Sequence, residues 1–166
     1  MNFLSDPIRL IDAHVEGLLT RIVASGGPAL VGATMPDRLA DFRARHDAWR
    51  LALSGPPRSA PGTRVALLTE PERPGSLAGV LFLDADGPAP AGPGVVIAVI
   101  AALAHLGRLR PGPVQLDTPT GAVTASFALD GSVRVDLADG DSREGRAHLL
   151  LDGTMLAEPD DPRAWG

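Results

Sequence analysis

Three polar side chains near the start of the chain, Asp12, His14 and Glu16, stand two residues apart. On a regular strand such residues share a face. Carboxylate, imidazole and carboxylate on one face are the makings of a metal site or of an acid/base cluster. The plainer alternative is a strand end whose polar groups serve the following turn, and Glu16-Gly17 is where that turn begins. Retained acid/base work or substrate contact is the stronger of the two chemical readings, and no metal is expected. A second candidate is Pro90-Ala91-Gly92-Pro93-Gly94, which leads into an apolar run, Val95 to Ala104, closed by Gly107. A helix apolar all round belongs in a core. Its N-terminus directs free amides and partial positive charge outward, so Ala91, Gly92, Pro93, Gly94 and Val95 are candidate ligand-binding residues for an anion. Proline at 93 removes one amide there, leaving those of Gly92, Gly94 and Val95.

Composition narrows the chemistry. The chain has 166 residues, is 45% hydrophobic and carries a formal charge of -5, which fits one compact domain and gives no electrostatic case for nucleic acid or membrane. All 15 basic residues are arginine, and there is no cysteine or tyrosine. Schiff-base, thiolate and disulfide chemistry are therefore absent, leaving four histidines and the carboxylates to carry protons. No cofactor is called for. Met1 to Pro7 lacks a basic region before an apolar one, and the run at 95–104 is too short to span a bilayer, so a cytoplasmic location is expected. Of the remaining histidines, His46 sits on an apolar stripe and reads as packed. His105 reads as a helix C-cap and His148 as solvent-facing, while Arg108 and Arg110 read as solvated.

Strands are expected at Ile8–His14, Leu18–Val23, Val65–Thr69, Gly79–Asp84 and Val114–Thr118. Thr34, Pro36 and Asp37 open a helix whose stripe is Leu39, Phe42, His46, Trp49 and Leu53, stopped by Ser54-Gly55-Pro56-Pro57. Val123, Ala125, Phe127 and Leu129 alternate inward, Asp130-Gly131 turns, and Val133, Val135 and Leu137 alternate back. Asp139 to Glu144 reads as a polar turn, Ala147, Leu149 and Leu151 as a strand, and Asp152-Gly153 as another turn, before an irregular tail at 159–162. Short turns make the strands mostly antiparallel, and with two helices the class is α+β.

Several ordered motifs resemble the proline racemase family, which includes hydroxyproline epimerases. Asp12-Ala13-His14-Val15-Glu16-Gly17 is similar to its N-terminal DAHTEG-type motif. Gly32-Ala33-Thr34-Met35, Gly79 to Asp84 and Asp117-Thr118-Pro119-Thr120-Gly121-Ala122-Val123 follow in family order. Residues of about 8–137 resemble the family's N-terminal lobe. Gly145-Arg146-Ala147-His148 and the segment 159–162 resemble its extreme C-terminus, so 1–166 reads as one lobe with the second domain left out between Leu137 and Gly145. A domain inserted between nearby chain positions can be removed without cutting the remaining core.

The resemblance implies an antiparallel barrel-like sheet around a central apolar helix, the diaminopimelate epimerase-like lobe. It also implies a two-cysteine proton exchange in which each lobe supplies one thiol. Here Ala91 stands at the cysteine position and Pro93 at the histidine position of that motif. Racemisation, epimerisation and the related dehydration are therefore not expected. Two functions follow. One is a repurposed cofactor-free isomerase, cyclase or lyase, possible in secondary metabolism, using His14, Glu16 or Asp12. The other is a non-catalytic small-molecule-binding or assembly protein. A homodimer through the face left by the second lobe is expected in either case.

Overall fold

The computed structural model describes residues 7–158, 160–163 and 165; the readings of Met1–Asp6 and of Pro159 lie outside them. The strands are β1 (Ile8–Val15), β2 (Leu18–Ser25), β3 (Arg64–Thr69), β4 (Ala78–Asp84), β5 (Gly87–Pro88), β6 (Gly112–Thr118), β7 (Gly121–Phe127), β8 (Val133–Asp136), β9 (Ser142–Gly145) and β10 (His148–Met155). The helices are α1 (Met35–Arg45), α2 (Asp47–Ser54) and α3 (Pro93–His105). The strands form one curled half-barrel sheet in the order β10-β1-β2-β3-β4-β6-β7-β8-β9, with β5 beside β4.

The sheet is mixed rather than antiparallel. β2 pairs parallel with β3, and β4 parallel with β6. Both parallel pairs have the same cause. A two-residue turn can only return a strand antiparallel, whereas a helical crossover brings the chain back to its starting end. The crossover from β2 to β3 carries α1 and α2, and the one from β4 to β6 carries α3.

The two faces of the sheet bury separate cores. Along β1, Ile8 and Leu10 join Met35, Phe42, Trp49 and Leu53 beneath α1 and α2. Ile11, Ala13 and Val15 join Val95 to Ile100 of α3 on the other face. Eight residues of α3 are buried, and it touches strands β1, β2, β3, β8, β9 and β10. With both faces covered, β4 reads as a nearly continuous apolar run, and β1 is buried along most of its length.

Four local expectations are corrected. The single helix over the Leu39–Leu53 stripe breaks at His46, which caps both α1 and α2 with a non-helical backbone. The stripe is continuous, but the curved sheet beneath it is not straight: α1 lies on β4 and β6, α2 on β3 and β4. Leu129 does not face inward. β7 has ended at Phe127, and Leu129 sits 93% exposed in a turn closed by the Gly131 amide on the Ala128 carbonyl. The Asp139–Glu144 turn is shorter, because Ser142–Gly145 pairs with β8 as β9. Asp152-Gly153 is not a turn but the middle of β10, paired with Ile11 and Leu10. Arg9 and His105 take the Asp152 carboxylate, at 2.7 and 2.9 Å, and hold it well below the usual carboxylate range.

Candidate functional site

The β1–β2 turn places two residues of the Asp12-His14-Glu16 set and separates the third. Val15 and Leu18 pair across a two-residue turn, with Glu16 at φ 50 and Gly17 at φ 85. Both turn residues are left-handed, as this tight hairpin requires. Glycine adopts that conformation freely, while a glutamate carries backbone strain there. The Gly17 amide donates to His14 Nδ1 at 3.2 Å. The His14 ring stacks on His148 with centroids 5.3 Å apart.

Asp12 is committed elsewhere. Its two carboxylate oxygens accept from Arg21 Nε and Nη2 at 2.9 and 2.8 Å, and both side chains are largely buried. Arg21 Nη1 continues to the Arg58 carbonyl and Ser59 hydroxyl, at 3.0 and 2.8 Å. The pair therefore fastens the chain leaving α2 onto the sheet. By alternation Asp12 and His14 fall on the face away from α3, since Ile11, Ala13 and Val15 face it. Asp12, His14 and Glu16 are not brought together, and no group of three metal-ligating side chains occurs among the described residues.

The mouth of α3 is built as its residues dictate. Gly92 is the N-cap, with extended backbone and no side-chain cap, and Pro93 is the first helical residue. The Gly92 amide is not free, since it donates to the Pro90 carbonyl at 2.9 Å. Gly94 and Val95 therefore supply the outward amides. A Cβ on Gly94 would lie 3.7 Å from Leu18 and 4.0 Å from Val15, so the β1–β2 turn borders the mouth. Nothing lies within 4 Å of a Cβ on Gly92, so the approach is open.

Beside the mouth is a pocket of about 270 Å³, lined by Leu39, Phe82, Pro88 to Ala91 and Thr118 to Thr120. No ionisable side chain lines it. The Thr118 hydroxyl is turned onto the Gly121 carbonyl at 2.8 Å. The sequence does not single out Leu39, Phe82 or the threonines as neighbours of Ala91, because they meet only through sheet curvature.

Asp117, ahead of that threonine, is fully buried. It accepts the Glu72 and Arg73 amides at 2.7 and 2.9 Å, the Arg73 guanidinium at 2.8 Å and the Ser76 hydroxyl at 2.9 Å. Burial pushes its carboxyl up, but the Arg73 and Ser76 bonds with the Glu72 amide outweigh that and hold it below the usual range. The loop so fixed lets Glu72 accept the Met35 amide at 2.7 Å and close the start of α1. His46 is packed against Phe42 with its Nε2 3.9 Å from the Asp41 carboxylate, and burial pushes its imidazole down. No helix of the described residues is long and apolar enough to cross a membrane.

Comparison with known proteins agrees with this geometry. Residues 10–142 match the family model described as proline racemase. The 4-hydroxyproline 2-epimerase of Chromobacterium violaceum is 43% identical over 126 residues, covering 76% of this chain and 41% of that protein. A hydroxyproline epimerase from Agrobacterium vitis, solved with bound trans-4-hydroxy-L-proline, superposes with a TM-score of 0.74 at 25% identity. The match covers 81% of this chain and 42% of that one. A probable proline racemase from Agrobacterium radiobacter, solved with bound carbonate, gives 0.73 at 27% identity, over 78% and 41% of the two chains. The chain thus spans about two fifths of the length of the relatives it matches. It belongs to the proline racemase family.

Proposed function

We propose that this chain binds a small carboxylate-bearing molecule at the mouth of α3 and does not perform the proton exchange of the enzymes it resembles. The observation that carries this reading is the pairing of two free amides, Gly94 and Val95, with a pocket beside Ala91 that has no ionisable lining. Helix-end amides and the helix dipole suit an anion. The apolar pocket suits the remainder of the ligand. Nothing in that lining can carry a proton from carbon, since a methyl group occupies position 91. The chain reads as one lobe over 1–166, with β10 lying along β1 as the returning C-terminal strand.

A second reading, cofactor-free isomerase, cyclase or lyase chemistry, is favoured by one feature. Glu16 is held left-handed at the tip of the turn that borders the mouth. Backbone strain of this kind is kept where surrounding structure enforces it and clusters at functional sites. Orientation of a bound molecule alone contributes substantially to a ring closure.

One titration separates the two readings. Adding trans-4-hydroxy-L-proline, the ligand of the Agrobacterium vitis protein, is expected to shift the Gly94 and Val95 amide resonances while its C2 proton is retained. Unchanged amides, or catalysed loss of the proton, contradict the proposal.

The reading includes a homodimer. β10 is an edge strand, and its register against β1 jumps at Leu150, leaving a bulge. Leu149, Leu150 and Leu151 are consequently all exposed, Leu150 by 58%, and Leu18 beside the mouth is 40% exposed. Clustered exposed apolar side chains of this kind support an interface. A second copy, related by a two-fold axis, would lie where the relatives carry the part this chain does not span. Light scattering at micromolar concentration is expected to give twice the chain mass for the parent protein and the monomer mass for Leu150→Asp. A monomeric parent contradicts the dimer.

A further inference from the structure

We infer a second ligand site, for a small oxyanion, at the end of α3 opposite its mouth. A cavity of about 590 Å³ lies there, among the loop after α3, the start of β6 and the facing parts of β7 and β8. That is within the usual size range of small-molecule pockets. Its chemistry comes from Arg108, Arg110, Ser76, Gln115, Thr124 and Asp136.

The local sequence sets the two arginines there. Gly107, at φ 70, ends α3 with the left-handed residue that a helix C-terminus commonly uses. The Arg108 amide then reaches back to the Leu103 carbonyl at 2.9 Å, and the Gly107 amide to Ala104 at the same distance. The helix stops, and Arg108, Leu109 and Arg110 cross the rim of the cavity before Pro111.

Their convergence on one cavity is the telling feature. Arg9, Arg21, Arg45, Arg50 and Arg73 are each committed to a carboxylate. The Arg108 and Arg110 guanidiniums have no hydrogen-bond or ion-pair partner among the described residues, and both line one cavity. A guanidinium presents a planar fork of donors that matches carboxylate and phosphate oxygens, and two of them suit a doubly charged ligand.

The uncharged lining agrees. Gln115 Nε2 donates to Ser76 Oγ at 2.8 Å, and that hydroxyl donates onward to buried Asp117. The Gln115 amide is thereby oriented, and its second hydrogen remains for a ligand. Asp136 is the carboxylate of the lining, and its Oδ2 accepts from Thr124 Oγ1 at 2.9 Å. It opposes an anion, as does the negative end of the α3 dipole. The two arginines therefore set the sign of the site, and Asp136 limits its affinity.

Calorimetric titration at low ionic strength with inorganic phosphate, and separately with succinate, tests the site. Saturable binding of at least one is expected, weakened about tenfold or more in Arg108→Gln/Arg110→Gln. Asp136→Asn is expected to tighten it by at least about threefold, because removing a nearby like charge relieves repulsion. Arg143→Gln removes an exposed guanidinium of β9 outside the cavity and should leave affinity unchanged. Binding of phosphate alone assigns the site to a phosphate group, and of succinate alone to a dicarboxylate. No saturable binding of either, or an equal loss in Arg143→Gln, overturns the inference. Weaker binding by Asp136→Asn also overturns it, since the carboxylate would then be holding a cationic group.

Discussion

Asp12→Ala is expected to cost about 3–5 kcal/mol of folding stability, the range for removing one partner of a buried ion pair. The loss leaves the Arg21 guanidinium largely buried, without the carboxylate that receives two of its donors. Its remaining bonds, to the Leu53 and Arg58 carbonyls and the Ser59 hydroxyl, do not neutralise the charge. Replacing both partners by apolar residues, in Asp12→Leu/Arg21→Met, should recover most of the loss, because the desolvation of both charges disappears together. His14→Ala, whose ring is partly exposed against His148, should stay within about 1 kcal/mol of the parent. Urea midpoints at constant slope measure all three. A small cost for Asp12→Ala, together with an effect on ligand binding, would instead return Asp12 to the site.

Ala91→Cys is expected to give a reactive thiol with its pKa lowered below the ordinary ~8.5 by about one unit or more. Two features of the chain work in that direction. The thiol would stand just before a thirteen-residue helix whose N-cap uses no side chain, and the Gly94 and Val95 amides there lack acceptors. Partial positive charge at a helix N-terminus stabilises a thiolate over a thiol. Opposing it, the apolar lining of the adjacent pocket disfavours the charged form. The open approach at Gly92 keeps water near enough for the dipole to prevail. The pH dependence of alkylation by iodoacetamide reports the pKa directly, with a blocked cysteine peptide as the ordinary reference. A value at or above the reference would mean that the mouth no longer stabilises an anion, and the proposed ligand carboxylate would lose its site.

These two variants mark where sequence was sufficient and where it was not. Val95 to Ala104 is apolar at every position, so its helix and its burial are local facts, legible from residue types alone. The Thr34 cap is equally local, and its hydroxyl accepts the Asp37 amide at 3.2 Å. Asp12 was different. Its spacing to His14 and Glu16 is genuine, but its partner is Arg21 on the neighbouring strand, and only pairing brings the two together. Arg21 is the one charged residue of a mostly apolar strand, and a lone charge in such a setting is itself a sign of a buried partner.

The parallel pairs were hidden for a similar reason. Turn residues speak for the next strand, whereas the place to which a helical crossover returns depends on the whole sheet. Asp152-Gly153 has the residue types of a hairpin turn, but pairing with Ile11 and Leu10 of β1 makes it strand, with Arg9 and His105 holding the Asp152 side chain. The Ala91 pocket and the Arg108 cavity gather residues from four or more elements each, and no periodicity carries that information.

Proton NMR of trans-4-hydroxy-L-proline in deuterated buffer, with the protein at catalytic concentration, tests the central claim most directly. With a methyl group at position 91 and no cysteine in the chain, the C2 proton is expected to persist at the rate of buffer alone, while at stoichiometric protein the Gly94 and Val95 amides shift. Protein-dependent exchange of deuterium into C2 would contradict the account, because it would require a proton carrier at the α3 mouth other than the thiol that this chain lacks.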